Sequence, residues 1–379
     1  MRSLVVVGIV LASALPAPAK VLTVHPGESI QAAVNLANPG DTVAVLPGTY
    51  HEAGTPCPTE PAHTCAVVVT KDGVRLRGLS KRNAPVVLEN PGGQEQGIAF
   101  AKPGADGASC FDDPSQRIRK SQVRGFTVNG FDGDGIFLFC ADDFRVTGNE
   151  VHDNGEYGIF PSHCTKGRVS HNVATGSNDT GIYIGQSFDV RVDRNLASGN
   201  VSGFEIENCT GVRMDHNEAH GNTGGILSFT LPFLDVKSNH DNLIDFNYVH
   251  DNNKPNTCLD PEDAVCDVPH GTGILLLAAD ANRVIQNNVR GNGSFGIAVA
   301  NFCVAQGLDS ASCGLLDIEP NADDNRILRN TALDNGTAPD PSVPAVFDVD
   351  LAWDLTGTGN CWSQNVSVTQ FPPVLPACQ

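Results

Sequence analysis

The phrase RVTGN (Arg145 to Asn149) returns as RVSHN (Arg168 to Asn172), RVDRN (Arg191 to Asn195) and RMDHN (Arg213 to Asn217). After longer gaps it recurs as LIDFN (Leu243 to Asn247), RVIQN (Arg283 to Asn287) and RILRN (Arg326 to Asn330). The first four Asn stand 23, 23 and 22 residues apart. A second Asn usually follows five residues on, as at Asn154, Asn200, Asn222, Asn252, Asn292 and Asn335. Next comes Gly plus an aliphatic or aromatic residue, as in Gly158-Ile159, Gly181-Ile182, Gly203-Phe204, Gly225-Ile226 and Gly296-Ile297. A period near 22 built of short alternating stretches, punctuated by Asn and Gly and lacking helical spacing, describes one coil of a parallel β-helix. A leucine-rich repeat of similar length needs a Leu framework that this chain lacks.

Coils stack at the strand spacing of about 4.8 Å, so equivalent residues form columns. Asn suits the bends for two reasons, tolerance of left-handed backbone and amide bonding from coil to coil. The repeated Asn are therefore read as structural, and the repeated Arg with Asp189, Asp193 and Asp215 as a surface charge ladder. Residues 120–366 carry the regular repeats, interrupted by insertions at 229–242, 253–270 and 303–325 that all border the Gly-aliphatic strand. Residues 20–50 predict a helix from Ser29 to Ala37 and a first strand that close one end, and the stretch after Asn365, with Pro372, Pro373 and Pro376, is expected not to continue a strand, its residues 367–379 closing the other end.

The chain has 379 residues, 39 Gly, 31 Asn and a formal charge of -19. That balance disfavours nucleic acid and anionic membranes as partners. Residues 1–19 read as a secretory signal, with an early Arg2, an apolar run from Leu4 to Leu15 and Ala17-Pro18-Ala19 at the cleavage site. The rest, residues 20–379, is expected to be one domain, exported to the periplasm or beyond, monomeric and without membrane insertion. Twelve Cys in an exported chain read as disulfides. Short loops pair Cys57 with Cys65, Cys258 with Cys266, Cys303 with Cys313 and Cys361 with Cys378. Cys140 is left to meet either Cys110 or Cys164, and Cys209 is the expected free thiol because Ser187 is its equivalent one coil earlier.

The repeats, together with GIYIGQS (Gly181 to Ser187), GFEIEN (Gly203 to Asn208), GGILSFTLP (Gly224 to Pro232) and PHGTGI (Pro269 to Ile274), resemble the right-handed parallel β-helix proteins of the pectate-lyase-like superfamily, and within it an exported bacterial family. The resemblance implies an all-β, right-handed solenoid. Its members include lyases, epimerases, glycosidases and accessory proteins, which directs attention to extracellular polysaccharide.

Strand alternation places Ile136, Ile159, Ile182, Phe204, Ile226, Ile274 and Ile297 inward. One outward column then runs Phe137, Phe160, Tyr183, Glu205, Leu227, and its neighbour Phe139, Ser162, Gly185, Glu207, Phe229, with a notch expected at the small Ser162 and Gly185. Rings that stack on sugar faces beside carboxylates that bond hydroxyls or move protons suit a carbohydrate groove. Tyr183, Glu205 and Glu207 are the candidate catalytic residues. Phe137, Phe139, Phe160, His163, Gln186, Asn208, Phe229 and His270 are the candidate substrate-binding ones. The alternative reading is a non-catalytic binding or accessory module of the cell envelope. Glu205 and Glu207 stand about 6.6 Å apart along the backbone, between the retaining and inverting carboxylate spacings. Neither column holds a Lys, Arg or His. A Ca²⁺ ion is the one cofactor considered, with Asp132, Asp134, Asp153 and Asp179 as oxygen donors.

Overall fold

The computed structural model describes residues 18–259 and 261–379; the expected signal segment lies almost wholly outside them. A regular coil contributes one short strand to each of three sheets, of 12, 10 and 12 strands among the described residues, parallel throughout except where Thr55–Pro56 runs antiparallel to Thr64–Val69. The repeated phrase forms the first sheet, where Arg168 pairs with Arg191 and Arg191 with Arg213. The strand after the ladder Asn forms the second, and the Gly-aliphatic strand forms the third, the groove sheet. Pairing already begins with Val21–Val24 against Thr42–Val45, well ahead of the regular repeats.

The inward residues form one continuous core from Val24 to Trp362, with Ile136, Ile159, Ile182, Phe204, Ile226, Ile274 and Ile297 all fully buried in it. At its start the helix Ile30–Leu36 lays Ile30 and Val34 on the core. Ser29 caps this helix by accepting from the Ala32 N–H. At the far end the chain adds one more short strand, Gln370–Phe371, against Leu351 and Ala352, before its prolines, so the C-terminal stretch does extend a sheet.

Asn149, Asn172, Asn195, Asn217, Asn247, Asn287, Asn330 and Asn365 form an unbroken ladder, each side-chain N–H₂ donating to the next amide oxygen at 2.9–3.1 Å. The same oxygen accepts a backbone N–H, as from Asn172 to Asn195, and the second amide hydrogen reaches a strand carbonyl, as from Asn195 to Val169. Every polar atom of a buried amide is thereby matched. Asn200, Asn222, Asn252, Asn292 and Asn335 form a second ladder that ends on Asp350. The residue before each first-ladder Asn is left-handed, as at Gly148, His171, Arg194, His216 and Gln286, while the Asn itself is not. Of the two reasons for Asn, only the amide bonding applies in this column, because the preceding residue absorbs the bend and turns the Asn side chain inward.

The charge ladder also differs from a surface row. Arg168 grips Asp193 in the next coil through two bonds of 2.7 Å, and Arg191 grips Asp215 through two of 2.9 Å. The carboxylates are buried and only the arginines reach solvent.

The four short-loop disulfides form, and Cys110 bonds Cys140. Phe139 pairs with Ser162, so Cys140 aligns with His163 and faces outward, whereas Cys164, one residue later, points into the core. A shift of one residue along a strand reverses the side chain, which removes Cys164 as a partner. Cys164 and Cys209 are both free and buried.

Two outcomes are expected. Non-reducing peptide mapping finds five linked pairs, with the Cys164 and Cys209 thiols reacting only after denaturation. In denaturant titration, Asn195→Ala lowers stability by about 1–3 kcal/mol because it orphans buried donors and acceptors on both sides, while Asn83→Ala on the exposed surface changes it by less than about 0.5 kcal/mol.

Candidate functional site

The groove sheet turns its outward side to a cavity of about 880 Å³. Strand register builds its floor: Tyr183 pairs with Glu205, Gly185 with Glu207, Glu205 with Leu227 and Glu207 with Phe229. Ser162 pairs with Gly185, which sets Phe160 beside Tyr183 with ring centroids 4.6 Å apart. Residues of the insertions form the walls, Leu231 and Leu234 from 229–242, Val265 and Val268 from 253–270, and Gln306 from 303–325. A further insertion between Leu333 and Leu351, not evident from the repeat, adds Val343 and Phe347.

The outward strip divides into three parts. At one end Phe137 and Phe139 pack with Val68, Ala99 and the Cys57–Cys65 disulfide, so these two rings belong to a secondary core and not to the cavity. At the other, Leu227, Phe229 and Leu277 pack with Phe302, Leu316 and Ile318 while still lining the cavity. Between them lie Tyr157, Phe160, Tyr183, Asp179, Glu205 and Glu207. Tyr157 escaped the sequence reading because strict alternation from Ile159 assigns it inward. The bend ahead of Gly158 instead places its ring against Phe160 at 4.3 Å and Tyr183 at 5.1 Å.

The notch is filled from its own strand. A Cβ on Gly185 would collide with the Tyr183 phenol, so glycine is what lets that side chain lie along the sheet. From there the Tyr183 hydroxyl donates to Glu207 Oε1 at 2.9 Å.

Three expected ligand contacts are engaged elsewhere. Gln186 Oε1 accepts the N–H groups of Asp235 and Val236. Asn208 accepts the Leu231 N–H and donates to the Leu231 carbonyl, so both side chains anchor the 229–242 insertion, although Gln186 still lines the cavity. His270 lies outside the cavity lining, with Nδ1 2.6 Å from Asp340. His163 sits at a left-handed bend behind Ser162, its ring between Ser162 and Asp235. Each of these polar groups meets a loop because the insertions fold back over the sheet edge, a contact between segments far apart in sequence.

The electrostatics of the central part follow from burial. Glu205 is 4% exposed and Glu207 9%. Burial pushes Glu207 up to about 7 against the lowering effect of the Tyr183 hydrogen bond, and pushes Asp179 up to about 7 against that of Thr180. Burial, reinforced by Asp179, raises Glu205 well above the carboxylate range, and burial raises the phenols of Tyr157 and Tyr183. Among the described residues no Lys, Arg or His lines the cavity, so nothing cationic opposes this trend.

Of the four aspartates considered for Ca²⁺, no three are brought within reach of one ion. Asp132 accepts from Asn90, Asp134 accepts from Gln96 deep in the wall, and Asp179 accepts from the Thr180 hydroxyl in the groove. Among the described residues three carboxylates converge only at Asp280, Glu319 and Asp323, outside the groove lining.

A family model described as "Right handed beta helix region" matches residues 114–240. No curated protein matches in sequence. Among solved structures, the A-module of mannuronan C-5 epimerase AlgE6 from Azotobacter vinelandii is 18% identical with a TM-score of 0.59, covering 91% of this chain and 95% of its own. A double mutant of the periplasmic alginate epimerase AlgG is 16% identical with a TM-score of 0.55, covering 92% of this chain and 73% of its own. The Dettilon tailspike protein is 14% identical with a TM-score of 0.53, covering 90% of this chain and 66% of its own. The chain is thus a right-handed parallel β-helix protein; at these identities the likeness speaks for the fold alone.

The raised carboxyls have a thermodynamic consequence. An unfolded chain releases the Glu207 proton near 4.5, the folded chain near 7, so this group favours folding below 4.5 and loses that contribution as pH rises through 7. Glu207→Gln removes the effect. Relative to the parent, its unfolding midpoint is expected to be higher at pH 8 than at pH 5; an equal difference at both values would show that Glu207 titrates normally.

Proposed function

We propose that this is an exported β-helix protein that binds a polysaccharide poor in carboxylates along the groove sheet and processes it by proton transfer through Glu205, Glu207 and Asp179. The observation that carries this reading is three buried carboxyls beside the Tyr157, Phe160 and Tyr183 rings, in a cavity whose described lining has no cationic side chain. Rings offer flat faces for pyranose stacking. Carboxyls titrating near neutrality can give or take a proton there. Five disulfides suit an oxidising, extracytoplasmic compartment. Among the described residues no helix is long and apolar enough to cross a membrane.

The epimerases that share the fold are named for mannuronan and alginate. An enolate formed beside a uronate carboxylate is stabilised most strongly by a positive partner, and six acidic residues line this groove with none of the opposite sign. The geometry therefore favours a glycosidase-like reaction on neutral sugars, with a protonated carboxyl as acid, a second carboxylate as base or nucleophile, and Tyr183 holding Glu207 in place.

The double substitution Glu205→Gln with Glu207→Gln keeps shape and removes both charges. Against a panel of neutral and acidic polysaccharides, turnover is expected to fall at least about 100-fold while stacking-driven binding largely persists. Binding without product from the parent on every glycan supports the accessory-module reading. Full activity of the variant moves the site elsewhere.

A further inference from the structure

We propose that Ser162, His163 and Asp235 form a second reactive centre in the groove wall, with Ser162 as a nucleophile toward carboxylic esters such as O-acyl groups on sugar hydroxyls. The carboxyl chemistry above uses none of these three side chains. Ser162 Oγ lies 2.9 Å from His163 Nδ1, and His163 Nε2 lies 3.0 Å from Asp235 Oδ2. Ser162 lines the cavity, and its partner in the next coil is Gly185, over which the Tyr183 phenol lies.

Direction follows from donor and acceptor chemistry. A carboxylate only accepts, so Nε2 carries the ring proton and Nδ1 is bare, ready to receive the Ser162 hydroxyl proton. Burial lowers the His163 pKa, opposed mainly by Asp235, which keeps the ring neutral and basic at Nδ1. Asp106 and Arg117, from the segment beneath, also face the ring and act in opposite senses. Gly107 packs against the imidazole so closely that a Cβ there would strike it, which fixes the ring plane. Phe139 flanks it at 5.1 Å and Phe111 at 5.8 Å. Gln186 keeps its Oε1 on the Asp235 and Val236 N–H groups and lines the cavity, and in this proposal its NH₂ is the donor for the oxyanion.

The steps balance without an added reagent. The Ser162 oxygen bonds the acyl carbon as its proton passes to His163 Nδ1. The ester C–O bond breaks, and that proton goes to the departing alkoxide, freeing a hydroxyl. Water then attacks the acyl-serine, gives its proton to His163 and releases the carboxylic acid, and the proton returns to Ser162. Asp235 is a positioning residue, since its carboxylate acts through the imidazole and not on the ester.

The test uses the full chain with a fluorophosphonate probe and with p-nitrophenyl acetate, neither of which depends on recognising a glycan. The parent is expected to take up one phosphonyl group, located on Ser162 by peptide mass spectrometry. Ser162→Ala should lose the adduct and at least about 100-fold in ester hydrolysis. Asp235→Asn can donate to Nε2 and trap the proton on Nδ1, so its pH–rate curve should lose the inflection given by His163, a change that loosening the loop alone would not produce. Absence of an adduct on the parent, an adduct on another residue, or equal hydrolysis by the parent and a Ser162→Ala variant of unchanged thermal midpoint overturns the proposal. Should that variant fail to fold, the position of the adduct in the parent decides.

Discussion

The amide ladder is the interaction on which the rest of the structure depends. Each buried Asn of the first ladder matches its donors and acceptors on neighbouring coils, so a coil that slipped by one residue would orphan several polar groups at once. Hydrophobic alternation also opposes a one-residue slip, which would turn the inward aliphatics outward, but a slip of two residues only exchanges one aliphatic for another. The ladder supplies the register, and the Ile column of the groove sheet supplies the burial.

Fixed register makes side-chain columns on the outer face, and columns make a site. Tyr183, Glu205 and Glu207 are adjacent because Tyr183 pairs with Glu205 and Gly185 with Glu207, with Gly185 leaving room for the phenol between them. The insertions then bury this patch. Carboxyls that would ionise readily on an open sheet hold their protons to about neutrality once loops have taken them from water without bringing a cation. The first sheet shows the opposite outcome. There Arg191 lies across Asp215 and Arg168 across Asp193, and although burial works against them, both carboxyls stay below the usual range. Asp193 and Asp215 thus stay charged beneath their arginines, whereas the groove carboxyls, buried with no cation in the described lining, hold their protons to about neutrality.

The shared fold of epimerase modules and a tailspike places no chemistry on this chain, since the outer columns change freely while the inner ones hold the coil. This groove is acidic and aromatic throughout its centre and carries a serine–histidine–aspartate contact on its wall. These features stand in adjacent coils, so one bound chain could span both.

The solenoid, its period, the inward Ile column and the pairing of near-neighbour cysteines were legible in the sequence, because each rests on interactions between residues at a fixed spacing. Columns followed from the same periodicity, which is why Tyr183, Glu205 and Glu207 were nominated together. Periodicity is silent on what covers a column. The burial of Phe137 and Phe139 by the Cys57–Cys65 segment, the anchoring of Gln186 and Asn208 on the 229–242 insertion, and the meeting of His163 with Asp235, 72 residues away, all depend on loops that follow no repeat. Tertiary structure alone decided those contacts, and with them the protonation of the groove, since a carboxyl's pKa depends on the solvent and charges that the folded chain leaves around it.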